Sequence, residues 1–195
     1  MEKLSISPGN KKLKNIASFS LPPVESCLFH TYCADKCYAR KAYRAYPNTF
    51  KAYNRNFRIA KENLENLKNQ LVGYLQTYNH NYFRIHVSGD FFSQKYLDMW
   101  KAIAKQFPKI NFMGFTKCYS FDYTGMPDNM KIIFSTFESM PEGTSDKIRK
   151  KYSKPIAFAG TIKPAGDYYN DCIDDCSECK VCWHLKDKGV FFHYH

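Results

Sequence analysis

Apolar runs of strand length alternate with helical segments through most of this chain. That alternation restricts the fold more than any other feature. Ile16 to Leu21, Tyr82 to Val87, Asn111 to Phe115, Lys131 to Thr136, Ile156 to Ala159 and Val190 to Tyr194 read as strands. Between them, Tyr38 to Tyr46 reads as a short helix ended by Pro47. Phe50, Tyr53, Phe57, Ala60, Leu64, Leu67, Leu71 and Tyr74 recur at three or four residues, which predicts one long amphipathic helix with its stripe in the core. Ser93 is placed to cap a helix running to about Phe107, and Thr144 to Tyr152 reads as a short basic helix. Strand and helix in alternation predict an α/β fold with a mostly parallel sheet. At 195 residues one domain is expected. Its α/β core spans 1–166, and a cysteine-rich C-terminal segment, 167–195, packs on that core.

In such a sheet the working residues sit in loops at the carboxyl ends of the strands. The loop after the first strand, Ser88-Gly89-Asp90, Thr116-Lys117-Cys118 and Ser135-Thr136 all fall there. The first of these holds Cys27, Cys33 and Cys37, a Cys-x5-Cys-x3-Cys spacing. Thiols bunched in one loop are characteristic metal ligands, and three are one fewer than a closed four-coordinate site needs. Either a fourth ligand comes from elsewhere, with His30 or Cys118 as candidates, or the site is left open for a cofactor. The second group, Cys172, Cys176, Cys179 and Cys182, puts four thiols in eleven residues. Structural zinc prefers two separated pairs, whereas this crowded run is closer to iron–sulfur ligation. A 4Fe–4S cluster is the expected occupant, with zinc the alternative.

The formal net charge of +11 favours a polyanionic partner such as nucleic acid, or an anionic cofactor. Lys, Arg and Tyr between Arg40 and Arg58 can track phosphates and stack bases, or form a solvated helical face. The first residues carry no apolar signal segment and no run reaches the length of a membrane span. A cytoplasmic location is expected, where clustered thiols stay reduced. On the second strand, His86 is expected to share a face with Arg84 and Ser88, and there to touch a cofactor or sit hydrogen-bonded in the core. Asp90 and Lys117 suit an ammonium and a carboxylate respectively. His193 and His195 alternate with Phe192 and Tyr194, either closing a strand over the site or ending the chain loosely.

A three-Cys loop after the first strand, with an acidic turn after the second, resembles the radical S-adenosylmethionine enzymes. There three Cys hold a 4Fe–4S cluster whose open iron binds the cofactor. The resemblance implies a partial (β/α)6 barrel and an enzyme fed by a reductant protein. It implies metal ligation by Cys27, Cys33 and Cys37, and cofactor binding by Ser88, Gly89, Asp90 and Ser135. His86 and Lys117 become the expected catalytic groups, and Cys172, Cys176, Cys179 and Cys182 the ligands of an auxiliary centre. The family's usual spacing is Cys-x3-Cys-x2-Cys, from which this chain departs. A broader resemblance runs through Gly9-Asn10-Lys11-Lys12-Leu13, Phe19-Ser20-Leu21-Pro22, Cys37-Tyr38-Ala39, Arg84-Ile85-His86-x-Ser88-Gly89-Asp90-Phe91, Phe115-Thr116-Lys117 and Cys176-x2-Cys179-x2-Cys182-Trp183. This is similar to the phage gene product 88 family and implies a phage or mobile-element origin, with the host cytoplasm as location. The rival expectation is a non-catalytic protein in which zinc or iron–sulfur centres stiffen a nucleic-acid-binding surface.

Overall fold

A computed structural model describes residues 2–31 and 33–194. His195, expected near the end of the last strand, lies outside the described residues. Among the described residues eight strands form one sheet: β1 (Ile6–Ser7), β2 (Ala17–Phe19), β3 (Tyr82–Ile85), β4 (Asn111–Thr116), β5 (Met130–Phe137), β6 (Ile156–Gly160), β7 (Tyr169–Asp171) and β8 (Gly189–His193). Their order is β1-β2-β3-β4-β5-β6-β8-β7. Only β1 is antiparallel to its neighbour. The parallel α/β expectation therefore holds. β8 stands between β6 and β7, so the C-terminal segment is part of the sheet as well as a cover for it.

The helices are α1 (Tyr38–Ala45), α2 (Pro47–Glu62), α3 (Leu64–Thr77), α4 (Gln94–Gln106), α5 (Thr144–Tyr152), α6 (Cys176–Cys179) and α7 (Val181–His184). The single long helix expected over Phe50 to Tyr74 is two, because the chain leaves helical geometry at Asn63 (φ −152°, ψ 91°). Asn63 then caps α3, its side chain accepting from the Asn66 N–H at 2.9 Å. Ser93 caps α4 as the sequence implies.

From β2 to β6 each step moves one place in the same direction, so right-handed crossovers put α3, α4 and α5 on one face, whereas the step back from β7 to β8 carries α6 and α7 to the other. Phe19, Phe83, Phe112, Ile132, Phe134, Ile156 and Phe191 pack there against Leu67 and Leu71 of α3, Trp100 of α4 and Ile148 of α5. The alternate residues Met113, Ile133, Ala157 and Val190 face the other way, where Trp183, Leu185, Leu13 and Ile16 cover them. On this second face the rings of Phe115 (β4) and Phe192 (β8) lie 5.5 Å apart. Three strand spacings of about 4.8 Å separate their strands. The sheet is therefore curled, with its concave side away from the main helices. Asn56, fully buried on α2, donates to the Ser5 and Ser20 carbonyls and accepts from Ser5 N–H, which pins the short β1 beside β2.

Candidate functional site

The loops after β2, β3 and β4 are bound together at the carboxyl edge. Leu21 N–H donates to the Ser88 carbonyl at 3.0 Å, and Val87 N–H to Ser20 Oγ at 3.2 Å. Gly89 has φ +85°, and a Cβ there would lie 2.5 Å from Ser26 Oγ and 2.7 Å from Leu21 Cβ. Glycine thus lets the cysteine loop seat directly on the β3 loop. Asp90 completes the lock. Fully buried, its Oδ1 accepts from Phe91 N–H at 2.7 Å and Thr116 Oγ–H at 2.6 Å, and its Oδ2 from Lys117 N–H at 2.9 Å. Burial lifts this carboxyl above its ordinary range, with Lys117 and the three donors opposing. Within the Ser88-Gly89-Asp90 turn, Gly89 is occupied in packing and Asp90 in positioning. Ser88 Oγ is buried and has no hydrogen-bond partner among the described residues.

Cys27 and Cys33 stand within electrostatic reach of each other, of Asp90 and of Lys117, and Cys33 also of Cys37. Burial pushes the Cys27 thiol up to about 11 and raises that of Cys33. Thiols so shifted are poor nucleophiles, which argues against a free catalytic thiolate here. Burial pulls the Lys117 ammonium down, but Asp90, Cys33 and Cys27 outweigh it and the net shift is upward. Lys117 Nζ also lies 5.4 Å from the Phe137 ring centre. At the far end of the loop, Lys36 Nζ lies 5.0 Å from the ring of Tyr194, just past β8. The cysteine loop therefore reaches across the mouth of the curled sheet.

Five residues expected at or near the site are engaged otherwise. His86 lies beyond the last residue of β3 with φ +59°, and that left-handed step turns its ring toward the helices, not to the face of Arg84. There it stacks on Tyr96, with Nε2 2.8 Å from the hydroxyl, and meets Phe91 edge-on. Burial, reinforced by Arg84, lowers its pKa to about 3, so the ring is a neutral core group. Ser135 is inside β5, which runs on to Phe137, and its carbonyl accepts from the Tyr119 hydroxyl. Cys118 is buried, its thiol donating to the Phe91 carbonyl at 2.9 Å, so it packs β4 against the β3 loop. His30 Nδ1 lies 2.8 Å from the Cys27 carbonyl, closing a turn within its own loop. His193 ends β8 with its ring 4.5 Å from that of Phe191, a helix-side core residue.

The second thiol group covers the concave face lower down. Cys172 follows β7, Cys176 and Cys179 begin and end α6, and Cys182 lies on α7. Trp183 anchors the segment, donating to the Phe83 carbonyl at 3.3 Å. Lys12 pairs with Asp174, and Lys14 with Asp175 at 2.7 Å. Beneath the thiols lies Arg84, which the strand pattern does not single out. It is 8% exposed, donates to the His86 carbonyl at 3.0 Å and stands 4.3 Å from the Phe115 ring centre. Burial lowers its pKa. The opposing groups are Tyr38, Cys182, Cys176 and Cys172, with no carboxylate among them. Burial likewise pushes Cys182 up to about 12.

Among the described residues, no three His, Cys, Asp or Glu side chains converge closely enough to hold a metal ion. The expected ligand sets stand as neighbourhoods, not as coordination spheres. Cys172, for instance, turns its thiol toward Asp174 Oδ1 at 3.6 Å. Residues 2–188 match the family model for gene product 88. The chain belongs to the gene product 88 family. Both thiol groups, Arg84 and the β3 turn lie inside the matched span. No curated protein and no solved structure matches the chain. Among the described residues of this gene product 88 protein, no helix is long and apolar enough to cross a membrane.

Proposed function

We propose that this gene product 88 chain is an iron–sulfur protein of radical S-adenosylmethionine-like type, carried by a phage or mobile element. Cys27, Cys33 and Cys37 are the ligands of a 4Fe–4S cluster with one open iron. Cys172, Cys176, Cys179 and Cys182 are those of a second centre, iron–sulfur or zinc. The observation that carries the reading lies under the second thiol group. Arg84 is buried beneath Cys172, Cys176 and Cys182 and meets no carboxylate among the described residues, whereas Lys117, beside the first group, has the buried Asp90 as a countercharge. An unpaired buried charge costs several kcal/mol. Metal-bound thiolates are anionic and supply the missing countercharge, whereas protonated thiols do not.

With S-adenosylmethionine on its open iron, such a cluster supplies hydrogen abstraction from a substrate after one-electron reduction by a partner protein. The chain's own residues have narrower tasks. Lys117 offers its ammonium to a carboxylate at the mouth, and Ser88 Oγ is the buried polar atom left free for the cofactor's amine. Asp90 holds the loops after β3 and β4 in register. The curl that brings Phe115 to Phe192 supports a partial barrel with the cysteine loop over its mouth.

Anaerobic purification followed by iron, sulfide and zinc analysis tests the reading. It predicts a brown protein whose reduced cluster changes its paramagnetic resonance spectrum on adding S-adenosylmethionine, with release of 5′-deoxyadenosine. A colourless protein holding only zinc ends it. Iron without either response leaves the non-catalytic alternative, a metal-stabilised nucleic-acid binder.

A further inference from the structure

The solvent-facing aromatic residues of this protein are not scattered. Of nine large hydrophobic residues exposed among the described ones, five lie between Leu28 and Phe50: Leu28, Phe29, Tyr38, Tyr46 and Phe50. The last three are 69%, 63% and 50% exposed. Apolar surface concentrated in this way marks a contact site more often than chance. Its charge is as one-sided as its composition. From Lys36 to Lys61 the chain carries eight Lys or Arg and no acidic residue. Arg55 and Arg58 are taken up by Glu2, at 3.6 Å from the former. Arg40 donates to the Ala34 carbonyl at 2.7 Å and stands 4.0 Å from the exposed Asp35. Lys41, Arg44 and Lys51 make no ion pair among the described residues, and all three lie on α1 or early α2.

Phe50, Arg40 and Arg44 meet at one place, with Tyr46 next to it in the chain at the start of α2. A cleft of about 620 Å³ runs between α1 and α2, lined by Arg40, Tyr43, Arg44 and Phe50 and closed by Pro23 and Val24 of the cysteine loop. A second hollow shares Arg40 and Arg44 with it and is lined further by Lys41, Cys37 and one carboxylate, Asp35. At the base Tyr43 stacks on Tyr53, with ring centres 6.3 Å apart and planes 14° from parallel. Phe50 leans on Tyr43 at 4.9 Å. The rings are therefore braced, and their outer faces stay open.

We propose that this cleft binds single-stranded nucleic acid, leading the strand to the three-cysteine loop. Unpaired bases offer faces that stack on exposed rings, and phosphates suit cations that no carboxylate has claimed. A duplex hides its base faces, and an acidic protein has no need of four exposed rings. That the strand is a substrate rests on the cluster reading above. The binding does not.

The test is fluorescence anisotropy with a labelled single strand, DNA and RNA in parallel, and the matching duplex, between about 50 and about 200 mM salt. Full-length protein is used, as purified and after anaerobic reconstitution. The single strand is expected to bind at least tenfold tighter than the duplex. Tyr46→Ala with Phe50→Ala, both at exposed positions, should weaken it about tenfold or more at unchanged melting temperature. Lys41→Ala with Arg44→Ala should reduce the salt slope by about 1.4. Equal binding of duplex and single strand, with no effect of the ring substitutions, overturns the proposal. So does no binding at the lowest salt, or displacement by poly-glutamate at equal charge concentration, which would identify an acidic protein partner. Metal content is measured on the same samples. A chain that binds the strand but holds no iron refutes the cluster reading alone, and an iron-loaded chain that ignores the strand refutes this one alone.

Discussion

The helix-covered face of the sheet is finished with hydrocarbon: Phe19, Phe83, Phe112, Phe134 and Phe191 meet Trp100, Leu67 and Leu71, most with no exposure at all. The concave face is finished with a buried guanidinium, partly buried thiols and short apolar stretches that meet at Trp183. The hydrocarbon of the first face is satisfied by burial, although Trp100 Nε1 and His86 Nδ1 find no hydrogen-bond partner there among the described residues. On the second, Arg84 has lost its water and gained a carbonyl, a thioether sulfur and a ring, but no anion among the described residues. The first face buries no charge that needs a counterion, since His86 is neutral there. The other has a charge balance that the chain alone does not close, which is why function is placed there.

The largest effect tests the self-sufficient face. Trp100 is fully buried, with Phe19 and Phe83 within 5.9 Å of its ring centre. Trp100→Ala is expected to cost about 3–5 kcal/mol in urea unfolding. The loss should be the same for metal-loaded and chelator-stripped protein. A loss that depended on metal would break the distinction between the faces. Arg84→Leu comes next and reads the opposite face. In stripped protein it should be neutral or stabilising, because it removes an unpaired buried charge. In loaded protein it should weaken metal retention about 10–100-fold, and Arg84→Lys should recover part of that. Equal behaviour in both forms would mean that Arg84 is not the countercharge of the thiols.

A smaller effect appears with pH. The neutral His86 has a folded pKa of about 3 against an ordinary 6.5. The unfolded chain therefore binds this proton first. The stabilisation is complete above pH 6.5 and is lost as pH falls toward 3. Between pH 6.5 and 5 that amounts to about 2 kcal/mol, at about 1.4 kcal/mol per pH unit. His86→Asn tolerates the left-handed backbone and should flatten that part of the profile. An unchanged slope would place the titrating group elsewhere.

His86 also shows where the sequence stopped being legible. Alternation along Tyr82 to Val87 puts it beside Arg84, and one residue at φ +59° moves it to the opposite layer. No residue type announces that step, since histidine is tolerated there without being required. The six longer strands, the capped start of α4 and the loops that carry the thiols were legible because each rests on local periodicity or spacing. The short β1 and β7 were not, since two or three residues carry no period and owe their pairing to Asn56 and to β8. Arg84 had a weak signal, a charge in the middle of an apolar strand, which gains its meaning only once Cys176 and Cys182 are folded above it. Asp90 was legible as important but not as saturated, because its three donors come from two separate loops.

The smallest effect returns to the helix layer, where periodicity alone misled. Phe50 to Tyr74 keeps one apolar stripe without interruption, yet the chain leaves helical geometry at Asn63 and starts α3 with a side-chain cap at 2.9 Å. The stripe survives because the break falls between turns, so Ile59 and Leu67 still reach the same core. Asn63→Ala removes the acceptor for Asn66 N–H and favours a continuous helix. It should cost about 1 kcal/mol in urea unfolding. Metal content and strand binding should be unchanged, since neither the thiol groups nor the cleft touches α3. A gain in stability would mean that the break opposes the fold, and that the uninterrupted helix is the better partner for this face of the sheet.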